Sequence, residues 1–217
     1  MTDQHDQKLA AAMAAVSFVE GGMSVGLGTG STVELLLAPL AARRLSLRCV
    51  ATSPRTEEAA RALGLSVEPF GPVERLDIAI DGADQVAPDG WLVKGGGGAH
   101  TREKVVEAAA DRFIVIVDGS KLVEAIAPPI PFELLAFGEA SVLRALSPSE
   151  VRGVARTPDG GIIADYLGSV VDPAALAARF DATPGVIEHG LFPPEMVSDI
   201  VIGHADGGVE HRESAAK

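Results

Sequence analysis

The chain carries one cysteine, Cys49, in 217 residues, so an intrachain disulfide and a cysteine-based zinc site are both excluded. Within LSLRCVATS that thiol reads as a small buried hydrophobe, and such sparing use fits a reducing compartment. Basic residues are also scarce, with 18 Lys plus Arg against 30 Asp plus Glu and a formal net charge of −12. A phosphate backbone needs a basic face, so nucleic acid is not an expected partner, and any anionic ligand must be held locally. Aromatics amount to 4% of the chain, which leaves the packing to Ala, Val, Leu and Ile. Long apolar runs are missing too: Gly, Pro or charge breaks each one before the roughly 20 residues that a membrane-spanning helix requires. The first residues, MTDQHDQK, are polar and acidic where a secretory signal needs a basic start and an apolar run. We therefore expect a soluble, cytoplasmic protein with no membrane partner.

What the chain does have is alternation. With 47% hydrophobic and 22% charged residues it is globular, and its length suits one large domain or two small ones. Helical periodicity over 8–20 is followed by a short apolar run at 23–28 and a second helix at 32–44. The pattern repeats as a strand at 45–51, a helix at 54–63 ended by Gly64, and strands at 65–70 and 76–80. A strand at 91–94, a helix after Thr101 and the very apolar 113–117 complete it. Strands alternating with helices, several of them continuously apolar, predict an α/β, Rossmann-like parallel sheet covered on both faces. Ligands then belong at the carboxyl ends of its strands.

After Lys121 the texture changes, with proline-rich APPIPF at 127–132. FELLAF, helix-like EASVLRAL, the hairpin-like pair VRGVAR and GGIIADYLG, helix-like DPAALAARF and strand-like GVIEHG follow, which is the β-α-β-β-α-β order of ferredoxin-like folds. The expected division is a Rossmann-like catalytic domain of residues 1–127 plus 199–217 and a smaller ferredoxin-like α+β domain of residues 128–198. The apolar SDIVIG at 198–203 can return as a strand to the first sheet. No internal repeat is evident.

Four segments carry candidate chemistry. GLGTGST, residues 26–32, bends on its glycines and offers the hydroxyls of Thr29, Ser31 and Thr32 just as a helix begins, which suits a phosphate. It is neither a dinucleotide fingerprint, since a further glycine and an acidic residue after the next strand are missing, nor a nucleotide P-loop, since Gly30 stands where a lysine is needed. DGAD, Asp81 with Gly82, Ala83 and Asp84, projects two carboxylates from one turn. Such a pair suits proton shuffling between oxygens, a magnesium site or an ordinary Asp-Gly turn. KGGGGAHTREK places Lys94, the open backbone of Gly95, Gly96 and Gly97, and Glu103 around a helix start. Its plainer reading is a flexible turn with Glu103 complementing the helix dipole. DGSK sets Lys121 after the most apolar strand. Read together, as cations, hydroxyls and carboxylates at strand ends of one sheet, they describe an anion-holding acid–base pocket.

GLGTGST, DGAD, KGGGGAHTREK and DGSK, in this order and spacing, resemble the type A ribose-5-phosphate isomerases, and the later IPFELL, DGGIIAD, PGVIEHGLF and IGHADG extend the resemblance through nearly the whole chain. The resemblance implies interconversion of D-ribose 5-phosphate and D-ribulose 5-phosphate in the pentose phosphate pathway, through an enediolate and with neither metal nor organic cofactor. It implies Glu103 as the general base, Asp81 and Asp84 as the groups that help open the sugar ring and relay protons between O1 and O2, and Lys94 with the amides of Gly95 to Gly97 at the enediolate oxygen. The DGAD turn, including Gly82 and Ala83, is implied to contact substrate. Thr29, Gly30, Ser31, Thr32 and Lys121, with Lys8 from the first helix, are implied to hold the phosphate. A homodimer, or a tetramer built from such dimers, is the implied assembly.

Departures from the family pattern lie outside these groups. His100 replaces a residue that is apolar or small in many members and reads as a neutral helix-start side chain. IPFELLAF lacks the family's second proline, and ATSPRTEEA keeps only part of its serine-rich loop. Two other classes share some of these features. One is a sugar-phosphate sensor, although the chain has no room for the DNA-binding module that such regulators carry. The other is a deaminase or CoA-transferase-like enzyme, whose contacts would differ from the KGGGG…RE arrangement.

Overall fold

Apolar runs and capping signals place most elements where the sequence puts them in the computed structural model, which describes residues 4–71 and 75–214. In chain order the first are α1 (Gln4–Val16), β1 (Ser24–Leu27), α2 (Ser31–Ala42), β2 (Arg48–Ala51), α3 (Pro54–Ala62), β3 (Ile78–Asp81), β4 (Gln85–Val86), β5 (Leu92–Val93), α4 (His100–Ala108) and β6 (Phe113–Asp118). There follow β7 (Ile130–Leu134), α5 (Glu139–Ala145), β8 (Ser149–Val151), β9 (Ile162–Tyr166), α6 (Pro173–Asp181), β10 (Val186–His189), β11 (Leu191–Phe192), β12 (Asp199–Gly203) and β13 (Val209–Glu213). The chain packs as two units, the first drawn from residues 1–83, 102–122 and 194–217 and the second from 84–101 and 123–193.

The first unit is built on a six-stranded sheet in the order β13-β12-β6-β3-β1-β2. All neighbours are parallel except β12 and β13, so β1, β2, β3, β6 and β12 end at one carboxyl edge. Every residue of β3, β6 and β12 is buried, as expected of parallel strands covered on both faces. Ala11, Ala12 and Ala15 of α1 and Leu36, Leu37 and Leu40 of α2 form one core with Leu27, Ile80 and Ile116 of the sheet. Small residues let α1 approach closely: a Cβ on Gly203 of β12 would lie 1.9 Å from the Gln7 carbonyl oxygen. The strand returned by SDIVIG is β12, which pairs in parallel with β6.

The second unit holds a four-stranded antiparallel sheet, β10-β7-β9-β8, over α5 and α6. This is the order that a ferredoxin-like β-α-β-β-α-β chain makes. Phe132, Leu134, Val142, Leu146, Ala164 and Phe180 fill its core. Asp172 starts α6 by accepting from the Ala174 and Ala175 amides, with Pro173 as the first helical residue. A separate three-stranded sheet, β11-β5-β4, is antiparallel throughout.

Three elements differ from expectation. Residues 91–94 do not join the parallel sheet. Within APDGW, Gly90 at φ 87° lets the chain reverse, Ala87 N–H donates to the Trp91 carbonyl at 3.0 Å, and β5 folds back on β4 as a tight hairpin. Residues 65–70 do not form a full strand either. Val67 makes a single parallel bridge to Cys49, and Pro69, which has no amide hydrogen, closes the run. The edge strand β13 was not foreseen, because its polar VEHRE sequence carries little apolar signal and is mostly exposed. Among the described residues, no helix is long and apolar enough to cross a membrane.

Candidate active site

In the first unit the functional side chains gather at the carboxyl edge of the parallel sheet. After β1 the chain turns through Gly28, Thr29 and Gly30 into α2. Gly28 is dictated by its neighbour, since a Cβ there would lie 1.9 Å from Cγ of Asp81. Asp81 ends β3, is buried, and its Oδ1 accepts from the amides of Thr29 at 3.0 Å and Gly82 at 2.7 Å. The next strand end stiffens the same loop: Thr52 and Thr29 hydroxyls meet at 2.7 Å, and the Thr56 hydroxyl donates to the Gly28 carbonyl at 2.9 Å. Gly30, at φ 133°, offers no side chain to cap α2, so no side chain takes up the first-turn amides there. Lys8 of α1 donates to the Ser31 hydroxyl at 3.0 Å, at that same helix start, and Thr32 is buried behind it.

Asp118 ends β6 and Lys121 follows it half-buried. Burial opposes ionisation of Asp118, but the Ser120 hydroxyl and amide, Gln4 and the charge of Lys8 outweigh it and hold the carboxyl below its ordinary range. Glu103 lies in the first turn of α4 and is buried. That helix packs closely on β1: a Cβ on Gly26 would lie 2.7 Å from Cγ1 of Val106. Glu103 precedes Val106 by three residues and so projects from the same helix face. The first unit thus holds Lys8, the 29–32 loop, Asp81, Glu103 and Lys121.

In the second unit Asp84, Lys94 and the glycines are organised by the small antiparallel sheet. The Asp84 amide donates to the Val93 carbonyl at 2.7 Å, and the Gly96 amide returns a bond to Asp84 Oδ2 at 2.7 Å. A side chain at Gly96 would press on that carboxylate, 2.8 Å from Oδ1. Gly95, at φ 100°, backs onto the ring of His100, where a Cβ would meet Nδ1 at 2.6 Å. His100 is therefore a buried wall of the glycine loop, more than a helix-start side chain. Lys94 is 2% exposed, its amide donates to Gly190 at 2.8 Å, and its Nζ lies 5.4 Å from the centre of the Phe192 ring.

The expectation that all these groups sit at strand ends of one sheet is corrected here. Lys94 and Gly95 to Gly97 follow β5 of the three-stranded sheet, while Glu103 lies in a first helical turn, where the sequence puts it. Sequence reasoning also missed Arg152, which reaches the glycine loop from the end of β8. Its Nη1 donates to the carbonyls of Gly95 and Gly96, each at 2.9 Å, while Nε and Nη2 grip Asp165. In VRGVAR it reads as one more charged residue of a hairpin arm, and its glycine partners lie 57 and 56 positions away. Glu133, buried in β7, accepts from the hydroxyls of Thr101 and Thr157.

Asp181, Glu188 and His189 bring potential ligand atoms within 4.8 Å of one another. His189 Nδ1 accepts from the Leu191 amide at 3.2 Å, so the ring proton is on Nε2, 3.3 Å from Asp181 Oδ1. The Cys49 thiol is buried and is pushed up to about 11, first by burial and then by Glu68, which leaves it unreactive near neutrality.

A family model described as ribose 5-phosphate isomerase A (phosphoriboisomerase A) matches residues 48–207. The ribose-5-phosphate isomerase A of Roseiflexus castenholzii is 41% identical over 225 residues, covering 96% of each chain. The crystal structure of the Neisseria gonorrhoeae ribose 5 phosphate isomerase A superposes with a TM-score of 0.94 at 31% identity, over 99% of both chains. A D-ribose-5-phosphate isomerase solved in complex with phospho-erythronic acid gives 0.92 at 32% identity, over 98% of this chain and 100% of that one. Similarity of this extent in sequence and in fold leaves one conclusion: the chain belongs to the ribose 5-phosphate isomerase A family.

Proposed function

We propose that this protein interconverts D-ribose 5-phosphate and D-ribulose 5-phosphate through a cis-enediolate, as a step of the non-oxidative pentose phosphate pathway. The observation that carries the reading is the start of α2, where uncapped first-turn amides and Lys8 at Ser31 make a seat for a phosphate in an otherwise acidic protein. Family membership over nearly the full chain supplies the reaction.

In this reading Thr29 to Thr32, Lys121 and Lys8 hold the phosphate, and that non-reacting group fixes C1 and C2 for the chemistry. Asp81 and Asp84, with Gly82 and Ala83 of the same turn, assist ring opening. Glu103 removes the C2 proton as the C1–C2 double bond forms and the O1 carbonyl becomes an oxyanion. Lys94 and the amides of Gly95 and Gly97 stabilise that oxyanion, a contribution of several kcal/mol when donors are preorganised, while the Gly96 amide holds Asp84. The O2 proton passes to O1 through the aspartates, and Glu103 returns its proton to C1. Oxidation level is exchanged within one molecule, so the balance requires no redox cofactor. A cytoplasmic homodimer is supported by the single buried cysteine and by the fully exposed Phe137 and the exposed Leu135 on the second unit.

The test is a coupled aldose–ketose assay across pentose and hexose phosphates, in excess chelator, with wild type and Glu103→Gln. Wild type should turn over ribose 5-phosphate. The variant should lose about 10³-fold in kcat, within the range for removing a general base, while binding ribose 5-phosphate within about threefold of wild type. Failure of wild type on every pentose phosphate sinks the isomerase reading; full turnover by the variant sinks the role of Glu103.

A further inference from the structure

We propose that Arg152 is a positioning residue of the isomerase site, fixing the Gly95–Gly96 peptide whose amide holds Asp84. The inference deepens the proposed function and rests on it. Four consecutive glycines, Gly95 to Gly98, have more conformational freedom than any other segment of this length, and Gly95 and Gly98 both take positive φ. Local structure does little to restrain them: the Gly98 amide donates to the Gly95 carbonyl at 2.9 Å, closing one turn. Something from outside the loop must set the peptide planes, and Arg152 does so.

The Gly95–Gly96 peptide is held at both ends. Its carbonyl accepts from Arg152 Nη1 at 2.9 Å, and its N–H donates to Asp84 Oδ2 at 2.7 Å. Rotating that plane would break both bonds together. A guanidinium on the oxygen also polarises the peptide, strengthening the N–H as a donor to the carboxylate. The Gly96 carbonyl, on the other Nη1 hydrogen at 2.9 Å, fixes the following plane as well.

Arg152 is not arranged to bind substrate. Of its five N–H groups, two go to glycine carbonyls and two to Asp165, through Nε at 2.9 Å and Nη2 at 2.5 Å. Asp165 balances the charge that neutral carbonyls cannot, and both side chains are largely buried, at 19% and 13% exposure. The planar fork is what the geometry uses, and a lysine ammonium could not make all four bonds in these directions.

The experiment compares wild type with Arg152→Ala, Arg152→Lys and Asp165→Asn, measuring kcat, KM, the inhibition constant of phospho-erythronic acid, and the unfolding midpoint. That acid presents a planar carboxylate in place of the enediolate, so its affinity should track stabilisation of the intermediate. Arg152→Ala should lose about 10²-fold in kcat with KM within about threefold, and the acid should bind more weakly in step with kcat/KM. Arg152→Lys and Asp165→Asn should lose about tenfold, and added ethylguanidinium should restore part of the kcat of Arg152→Ala. A merely structural role would lower the unfolding midpoint and the active fraction while leaving kcat per folded molecule and the inhibition constant unchanged, and that outcome overturns the proposal. Should Arg152→Ala not fold, wild-type kcat and inhibition in the other two variants overturns it equally. An inactive wild type would instead overturn the isomerase reading beneath it.

Discussion

Asp81 occupies its place because residue 28 has no side chain. The GLGTGST segment is readable as an anion loop from its glycines and hydroxyls, but what Gly28 leaves room for is a carboxylate 53 positions later in the chain, and no spacing rule connects the two. With a Cβ 1.9 Å from Cγ of Asp81, the Gly28→Ala protein must displace that carboxylate from the Thr29 and Gly82 amides. We expect kcat/KM to fall by about 10²-fold or more while far-UV circular dichroism keeps its wild-type shape. Near-wild-type kcat/KM in Gly28→Ala would show that the position of Asp81 is not critical. Local sequence places Glu103 in a first helical turn and Lys8 enters only through the family resemblance, whereas Arg152 and the wall formed by His100 depend on which chain segments return to the loop.

At the scale of elements, α3 illustrates how far local sequence reaches. Ser53 followed by Pro54 marks its start, and the Ser53 hydroxyl accepts from the Thr56 amide at 3.2 Å. What SPRT cannot reveal is that the Thr56 side chain leaves its helix to bond the Gly28 carbonyl, with Thr52 and Thr29 completing the hydroxyl cluster. This helix therefore braces the proposed phosphate loop. Thr56→Val conserves shape but leaves a buried carbonyl without its donor, a loss of about 1–3 kcal/mol in denaturant unfolding. The KM for ribose 5-phosphate should rise several-fold with kcat within about twofold, and Thr56→Ser should restore it. A change confined to kcat would contradict the bracing role. The β4–β5 hairpin is a different case: its Asp89-Gly90 turn is written in the sequence, but strands of two residues carry too little periodicity to reveal their sheet.

For the whole molecule, the acidic balance makes low pH the informative stress. Burial works against the ionisation of Asp199 on β12, but paired bonds from Arg112 at 2.6 and 2.8 Å and one from His211 at 2.7 Å outweigh it and hold the carboxyl below its ordinary 3.8. Asp118 on the neighbouring β6 is lowered for like reasons. A carboxyl that binds protons more weakly when folded stabilises fully above the unfolded value and loses that contribution as pH falls through the folded one. Stability should therefore be nearly flat in this respect from pH 7 to about 5 and decline below about 4. In Asp199→Asn the decline should be shallower, measured by denaturant unfolding at pH 7 down to 2.5. Equal slopes for variant and wild type would remove Asp199 from the account.

The sequence by itself determined the alternation of strands and helices, the covered parallel sheet, the ferredoxin-like order and the chemistry offered by GLGTGST, DGAD, KGGGGAHTREK and DGSK. These are properties read along the chain, because side-chain periods of 2 and 3.6, turn residues and caps act between near neighbours. Tertiary structure alone decided that β5 joins an antiparallel sheet, that Gly28 makes space for Asp81, and that Arg152 grips glycines 57 and 56 positions before it. Such contacts depend on where the chain returns through space, so a run of four glycines remains an unspecified loop in the sequence and becomes a fixed row of peptide planes in the fold.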